Sequence, residues 1–61
     1  MRKLKQPEFK VGNRVHLPGE GYGTITEIQN GILESNLCNI VVKVDADGVE
    51  VLTCPNGITE A

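Results

Sequence analysis

Phe9-Lys10-Val11-Gly12-Asn13-Arg14-Val15-His16-Leu17-Pro18-Gly19-Glu20-Gly21-Tyr22-Gly23-Thr24-Ile25-Thr26-Glu27-Ile28 decides how this chain folds. Val11-Gly12-Asn13 has turn chemistry, because Gly12 accepts positive φ and the Asn13 side chain can bond back to the backbone. Arg14-Val15-His16-Leu17 alternates polar and apolar, the period of a half-buried strand. That alternation points Val15 and Leu17 at a core and Arg14 and His16 at water or a partner. Pro18-Gly19-Glu20-Gly21-Tyr22-Gly23 breaks the pattern and reads as a glycine-rich loop with Tyr22 at its tip. Thr24 to Gln29 resumes as strand. Ile25 and Ile28 lie three residues apart rather than two, so a β-bulge near Thr26-Glu27 is expected to bring both inside and bend the strand.

Beyond this stretch, Asn30-Gly31 is a hairpin signal. Residues 30–37 read equally as loop or strand. Leu37 to Asp45 makes the longest strand, with Ile40, Val42 and Val44 on one face, and Asp45-Ala46-Asp47-Gly48 turns the chain back. Val49 to Leu52 is the fourth strand. Cys54-Pro55-Asn56-Gly57 is a tight turn, and Ile58-Thr59 a short fifth strand able to close a barrel. No amphipathic helix is available. The expected fold is all-β: a five-stranded, strongly bent SH3-like small barrel over residues 9–61, preceded by a flexible basic arm over residues 1–8. Val15, Leu17, Ile25, Ile28, Val42, Val44 and Val51 are its expected core.

Sixty-one residues make one domain at most, and so short a chain buries only about 60% of the surface it exposes when unfolded. Phe9 and Tyr22 are the only aromatic residues, so the core must be aliphatic and largely β-branched. The charge is uneven. Arg2, Lys3, Lys5 and Lys10 stand against Glu8 in the first ten residues, a net +3. Arg14 and Lys43 face seven carboxylates in the rest, a net −5. Cys38 and Cys54 occur with no early apolar run that would make a secretory leader, which predicts a reduced, cytoplasmic protein with two free thiols. A disulfide requires that the strands bring the two together. No stretch approaches the ~20 apolar residues of a membrane span.

Several chemistries are argued against. Gly19-x-Gly21-x-Gly23 lacks the following helix whose N-terminus would receive a phosphate. His16, the single histidine, has no nucleophile or orienting partner in a recognisable motif. Two cysteines and one histidine do not have metal-ligand spacing, and no cofactor is expected. Two aromatics cannot build a methyl-lysine cage, a proline-rich groove or a base-stacking platform. An enzyme is therefore not expected.

The pattern Phe9-x-x-Gly12-Asn13-Arg14-Val15-His16, Gly21-Tyr22-Gly23-Thr24-Ile25, Ile40-Val41-Val42-Lys43-Val44 and Gly48-Val49-Glu50-Val51-Leu52 resembles bacterial Tudor-like and KOW-type barrels. It is most similar to the small C-terminal Tudor-like domain of bacterial DNA repair helicases. Gly23 to Ile28 also resembles the KOW motif of transcription elongation factors and ribosomal proteins. Asn13 stands where that helicase domain has Asp, and Pro18 to Tyr22 departs from its Phe-Gly turn. The resemblance implies a bacterial or phage origin and a partner in RNA polymerase or another protein of DNA transactions.

The functional expectation is a small non-enzymatic protein-interaction module. Its surface comprises Arg14, His16, Glu20 and Tyr22 with the exposed side of the fourth strand. Tyr22 is the expected hot spot, since tyrosine offers contact area at low entropic cost. Strand addition or a homodimer through an edge strand belongs to the same class. The alternative is a nucleic-acid-binding accessory protein using Arg2, Lys3, Lys5 and Lys10.

Overall fold

A computed structural model describes residues 9–34 and 36–61. The basic arm expected over residues 1–8 lies outside them. Five antiparallel strands form one sheet: β1 (Arg14–Leu17), β2 (Gly21–Ile28), β3 (Ile40–Val44), β4 (Glu50–Thr53) and β5 (Thr59–Glu60). Their order across the sheet is β4-β3-β2-β1-β5, a four-strand meander to which the last strand returns beside the first. The sheet is open, with β4 and β5 as its edges. β5 contributes only the pairs Val15–Glu60 and His16–Thr59, too short a strand to bridge to β4 as well.

Local chemistry makes the corners. Lys10 to Asn13 closes through Asn13 N–H donating to the Lys10 carbonyl, with Gly12 at φ 97°. Leu17 to Glu20 closes the same way, with Pro18 and then Gly19 at φ 84°, the residue order of a type II turn. Only Pro18-Gly19-Glu20 is loop, however. Gly21, Tyr22 and Gly23 belong to β2 and pair with Leu17, His16 and Val15. The glycine-rich loop expected over residues 18–23 is thus half strand, and Tyr22 lies on a sheet face rather than at a loop tip.

The expected bulge is present. Ile25 pairs with Val42 and Glu27 with Val41, leaving Thr26 as the extra residue, its hydroxyl donating to the Val41 carbonyl. The Asn30-Gly31 signal does turn the chain, with both residues at φ 65°, but it begins a long connection instead of a two-residue hairpin. The ladder ends where Gln29 N–H donates to the Asn39 carbonyl; a single 3-10 turn, Gln29–Gly31, follows, and the described residues from 32 to 38 are loop. β3 consequently starts at Ile40, three residues later than the alternation suggested.

Phe9, Val15, Leu17, Ile25, Ile40, Val42 and Ile58 form the core cluster, and Val44 is also buried. Ile28 and Val51, expected inside, are half-buried against its margin. β4 lies on the edge of the sheet, and β2 ends at Ile28, so neither side chain is covered from both sides. Phe9 and Ile58 lie outside regular strands and close the core from the two ends of the described chain. Asn39 is buried too. Its Nδ2 donates to the carbonyls of Gln29 and Ile32, satisfying the base of the long loop where no strand partner exists.

Cys38 and Cys54 form a disulfide, and among the described residues no cysteine is free. This corrects the expectation of two free thiols. The β3–β4 ladder supplies the reason: Ile40 pairs with Thr53, so the residues just past that end of the hairpin converge. Among the described residues no helix is long and apolar enough to cross a membrane.

Candidate functional site

The face of the sheet opposite the core is ordered by strand register. One row across it runs Glu50, Lys43, Thr24, Arg14, and the next places Tyr22 beside His16 and Thr59. Asp45 N–H donates to the Tyr22 carbonyl, which fastens the β3–β4 turn to the end of that second row. Arg14, His16 and Tyr22 therefore meet on one surface. The period of β1 sets two of them, and the β1–β2 register brings the third alongside.

Arg14 does not project freely. Its guanidinium lies over β2, donating to the Thr24 hydroxyl at 2.8 Å and to both carboxylate oxygens of Asp45, at 3.0 Å for the Nη1–Oδ1 bond. This forked pairing fixes the arginine in direction as well as in charge. The hydrogen bond is the main reason that Asp45 titrates below its ordinary value and Arg14 above its own. Desolvation opposes it, and attraction between the charges adds a lesser contribution in the same direction as the hydrogen bond. Asp45 was not among the residues expected at the site. It is one of seven carboxylates in the body, and only the β2–β3 register distinguishes it.

The pair has a testable pH signature. Because the folded state lowers the Asp45 pKa, the stability it contributes is present above the ordinary value near 3.8 and is lost as pH falls through the folded value. The stability difference between the native chain and Asp45→Asn is expected to be constant near neutral pH and to shrink below pH about 4. Urea unfolding of both proteins across that range measures it. A difference that stays flat into acid would mean the fork contributes nothing.

Tyr22 is 53% exposed although it sits in a paired strand. Its ring lies against His16, with centroids 5.0 Å apart and planes tilted by 59°. Such a tilted pair is a favourable aromatic arrangement, and it leaves much of the tyrosine surface bare. Glu20 is exposed on the Pro18-Gly19-Glu20 turn at the end of β1, and Arg14 forms its ion pair with Asp45 rather than with it. On the fourth strand, Glu50 and Leu52 are exposed on the same face as Lys43 and Val41. Of the residues expected to meet nucleic acid, Arg2, Lys3 and Lys5 lie outside the described residues; Lys10 is exposed on the Lys10 to Asn13 turn.

Chemically, this surface offers an ordered aromatic ring, a positioned but neutralised cation and an imidazole. No match to the chain was found among protein-family models, curated proteins or solved structures.

Proposed function

We propose that this chain is a small non-enzymatic protein-interaction module that binds through the face carrying Tyr22, His16 and Arg14. The observation that carries the reading is the half-exposed Tyr22 ring, held against His16 beside an arginine already locked by Asp45. Ordering the contact residues before binding lowers the entropic cost of association. The meander order, the bulge at Thr26 and the return of β5 to β1 support an SH3-like, Tudor- or KOW-like arrangement whose sheet is left open between β4 and β5. By that resemblance the partner is RNA polymerase or another DNA-transaction protein, in a bacterial or phage cytoplasm. Glu20 and the β4 residues Glu50 and Leu52 extend the surface.

The nucleic-acid reading is the weaker one. Arg14 is spent on Asp45, and Lys43 stands next to Glu50 in the sheet, so the described body presents little unopposed positive charge.

Titration of the full chain against purified bacterial RNA polymerase tests the proposal, with Tyr22→Ala as the comparison. The substitution is expected to weaken binding by roughly 1–2 kcal/mol and to leave thermal unfolding unchanged. A salt series with duplex DNA and RNA runs beside it. Equal polymerase binding by both proteins, or a salt-sensitive affinity confined to nucleic acid, overturns the reading. A melting temperature that falls with Tyr22→Ala identifies the ring as a packing residue instead.

A further inference from the structure

The described residues between Gln29 and Asn39 contribute nothing to the core. Every described residue from 30 to 38 is exposed, including Ile32, Leu33 and Leu37. Within this loop Leu37 N–H donates to the Glu34 carbonyl and Asn39 N–H to the Leu37 carbonyl, and three further restraints hold it to the rest of the chain. Asn39 fastens its base through the Gln29 and Ile32 carbonyls, and Asn36 accepts a long hydrogen bond of 3.4 Å from Asn56. The third is covalent: Cys38 is tied to Cys54, at the start of the turn that leads into β5. Loops with little burial open at low free energy, so the covalent tie dominates the order of this one.

We infer that the Cys38–Cys54 disulfide is a redox latch, which holds the described residues between Gly31 and Asn39 when oxidised and releases them when reduced while the sheet persists. Two observations separate the loop from the sheet. The core is drawn from Phe9, from β1, β2 and β3, and from Ile58, and no described residue between Ile28 and Asn39 belongs to it. The disulfide also lies beyond the last β3–β4 pair, Ile40 with Thr53, so the ladder does not depend on it for register. The bond is accessible as well. Cys38 is exposed and Cys54 half-buried, and exposed disulfides exchange with thiols more readily than enclosed ones.

The chemistry is thiol–disulfide exchange with a dithiol reductant. A reductant thiolate attacks the Cys38 sulfur, forming a mixed disulfide and expelling Cys54 as a thiolate that takes up a proton. The reductant's second thiolate then displaces Cys38, which is protonated in turn. Two electrons pass to the protein, and the reductant leaves as its own disulfide. Released, the loop carries three apolar side chains free to rearrange against a surface, which the clamped loop holds in one arrangement.

Hydrogen–deuterium exchange on the full chain tests the latch. The chain is compared after oxidation with diamide and after reduction with dithiothreitol, with Cys38→Ser/Cys54→Ser as a permanently reduced form. Intact mass is expected to show one internal disulfide after oxidation, removed by dithiothreitol without denaturant. Amides within residues 32–38 should then exchange at least about tenfold faster, while those of β2 and β3 keep their protection. The double variant should match the reduced chain under both conditions. Failure to form the disulfide, loop exchange indifferent to its reduction, or loss of β2 and β3 protection together with the loop would each overturn the inference. The last outcome makes the bond a staple of the whole fold.

Discussion

Gly23→Ala is expected to remove at least about 3 kcal/mol of stability, the severe end of overpacking, and Gly23→Val to leave no folded protein. A Cβ at position 23 would meet the Val42 side chain at 2.6 Å and the Lys43 backbone carbonyl at 2.7 Å. Val42 is itself buried in the core, and its β-branched side chain has little room to turn away. The carbonyl belongs to the β2–β3 ladder, where Thr24 pairs with Lys43 and Gly23 with Val44, and shifting it breaks the register that carries the core. A domain of this length holds only roughly 3–9 kcal/mol in total. Gly19→Ala provides the contrast. Nothing lies near the Cβ site of Gly19, whose φ of 84° is the whole reason for glycine there, so its cost is about 1–2 kcal/mol. Urea midpoints of the two variants decide. If Gly23→Ala is no worse than Gly19→Ala, close approach of β2 to β3 is not what requires the glycine.

Those two glycines also mark where the sequence was legible. Glycine next to proline at Pro18-Gly19 has a local meaning, a turn, and local meanings can be read without the fold. Glycine at position 23 has a non-local one, because the strand it must clear is twenty residues away in the chain. Residues 18–23 thus looked like a uniform loop. Arg14 to Leu17 was legible because period two is local, and the bulge because Ile25 and Ile28 violate that period within a few residues of each other. Asp45 and the cysteine pairing were not. Each depends on which residues the β2–β3 and β3–β4 registers place side by side, and no residue type announces a register. Asn39 carried one faint signal: a polar residue directly before the apolar run Ile40-Val41-Val42 marks a strand end whose backbone partners need another donor. The candidate surface follows the same division. The outward direction of Arg14 and His16 was readable from alternation, whereas the contact of Tyr22 with His16 came only with pairing.

Ile25→Ala is expected to cost about 2–5 kcal/mol, enough to leave a large unfolded fraction at room temperature. Ile25 is 1% exposed and belongs to the core cluster at the point where β2 bends. Its backbone is fully engaged: Ile25 N–H donates to the Asn13 carbonyl, and its own carbonyl accepts from Gly12 N–H. Those bonds tie the Lys10 to Asn13 turn to β2 and hold the backbone in place after truncation, so the cavity cannot close by collapse and the cost falls in the upper part of the range. Ile25→Val removes one methylene and should cost about 0.5–1.5 kcal/mol. Leu52→Ala, at an exposed edge position, should stay within about 0.5 kcal/mol. In a domain this small each kcal/mol moves the melting temperature by roughly 4–8 °C, so thermal unfolding separates the three variants. The order Ile25→Ala, Ile25→Val, Leu52→Ala follows directly from which face of the sheet is covered. Should Leu52→Ala prove as damaging as Ile25→Ala, the outer face is itself packed against something, and the surface bearing Tyr22 and Arg14 is not the open one described.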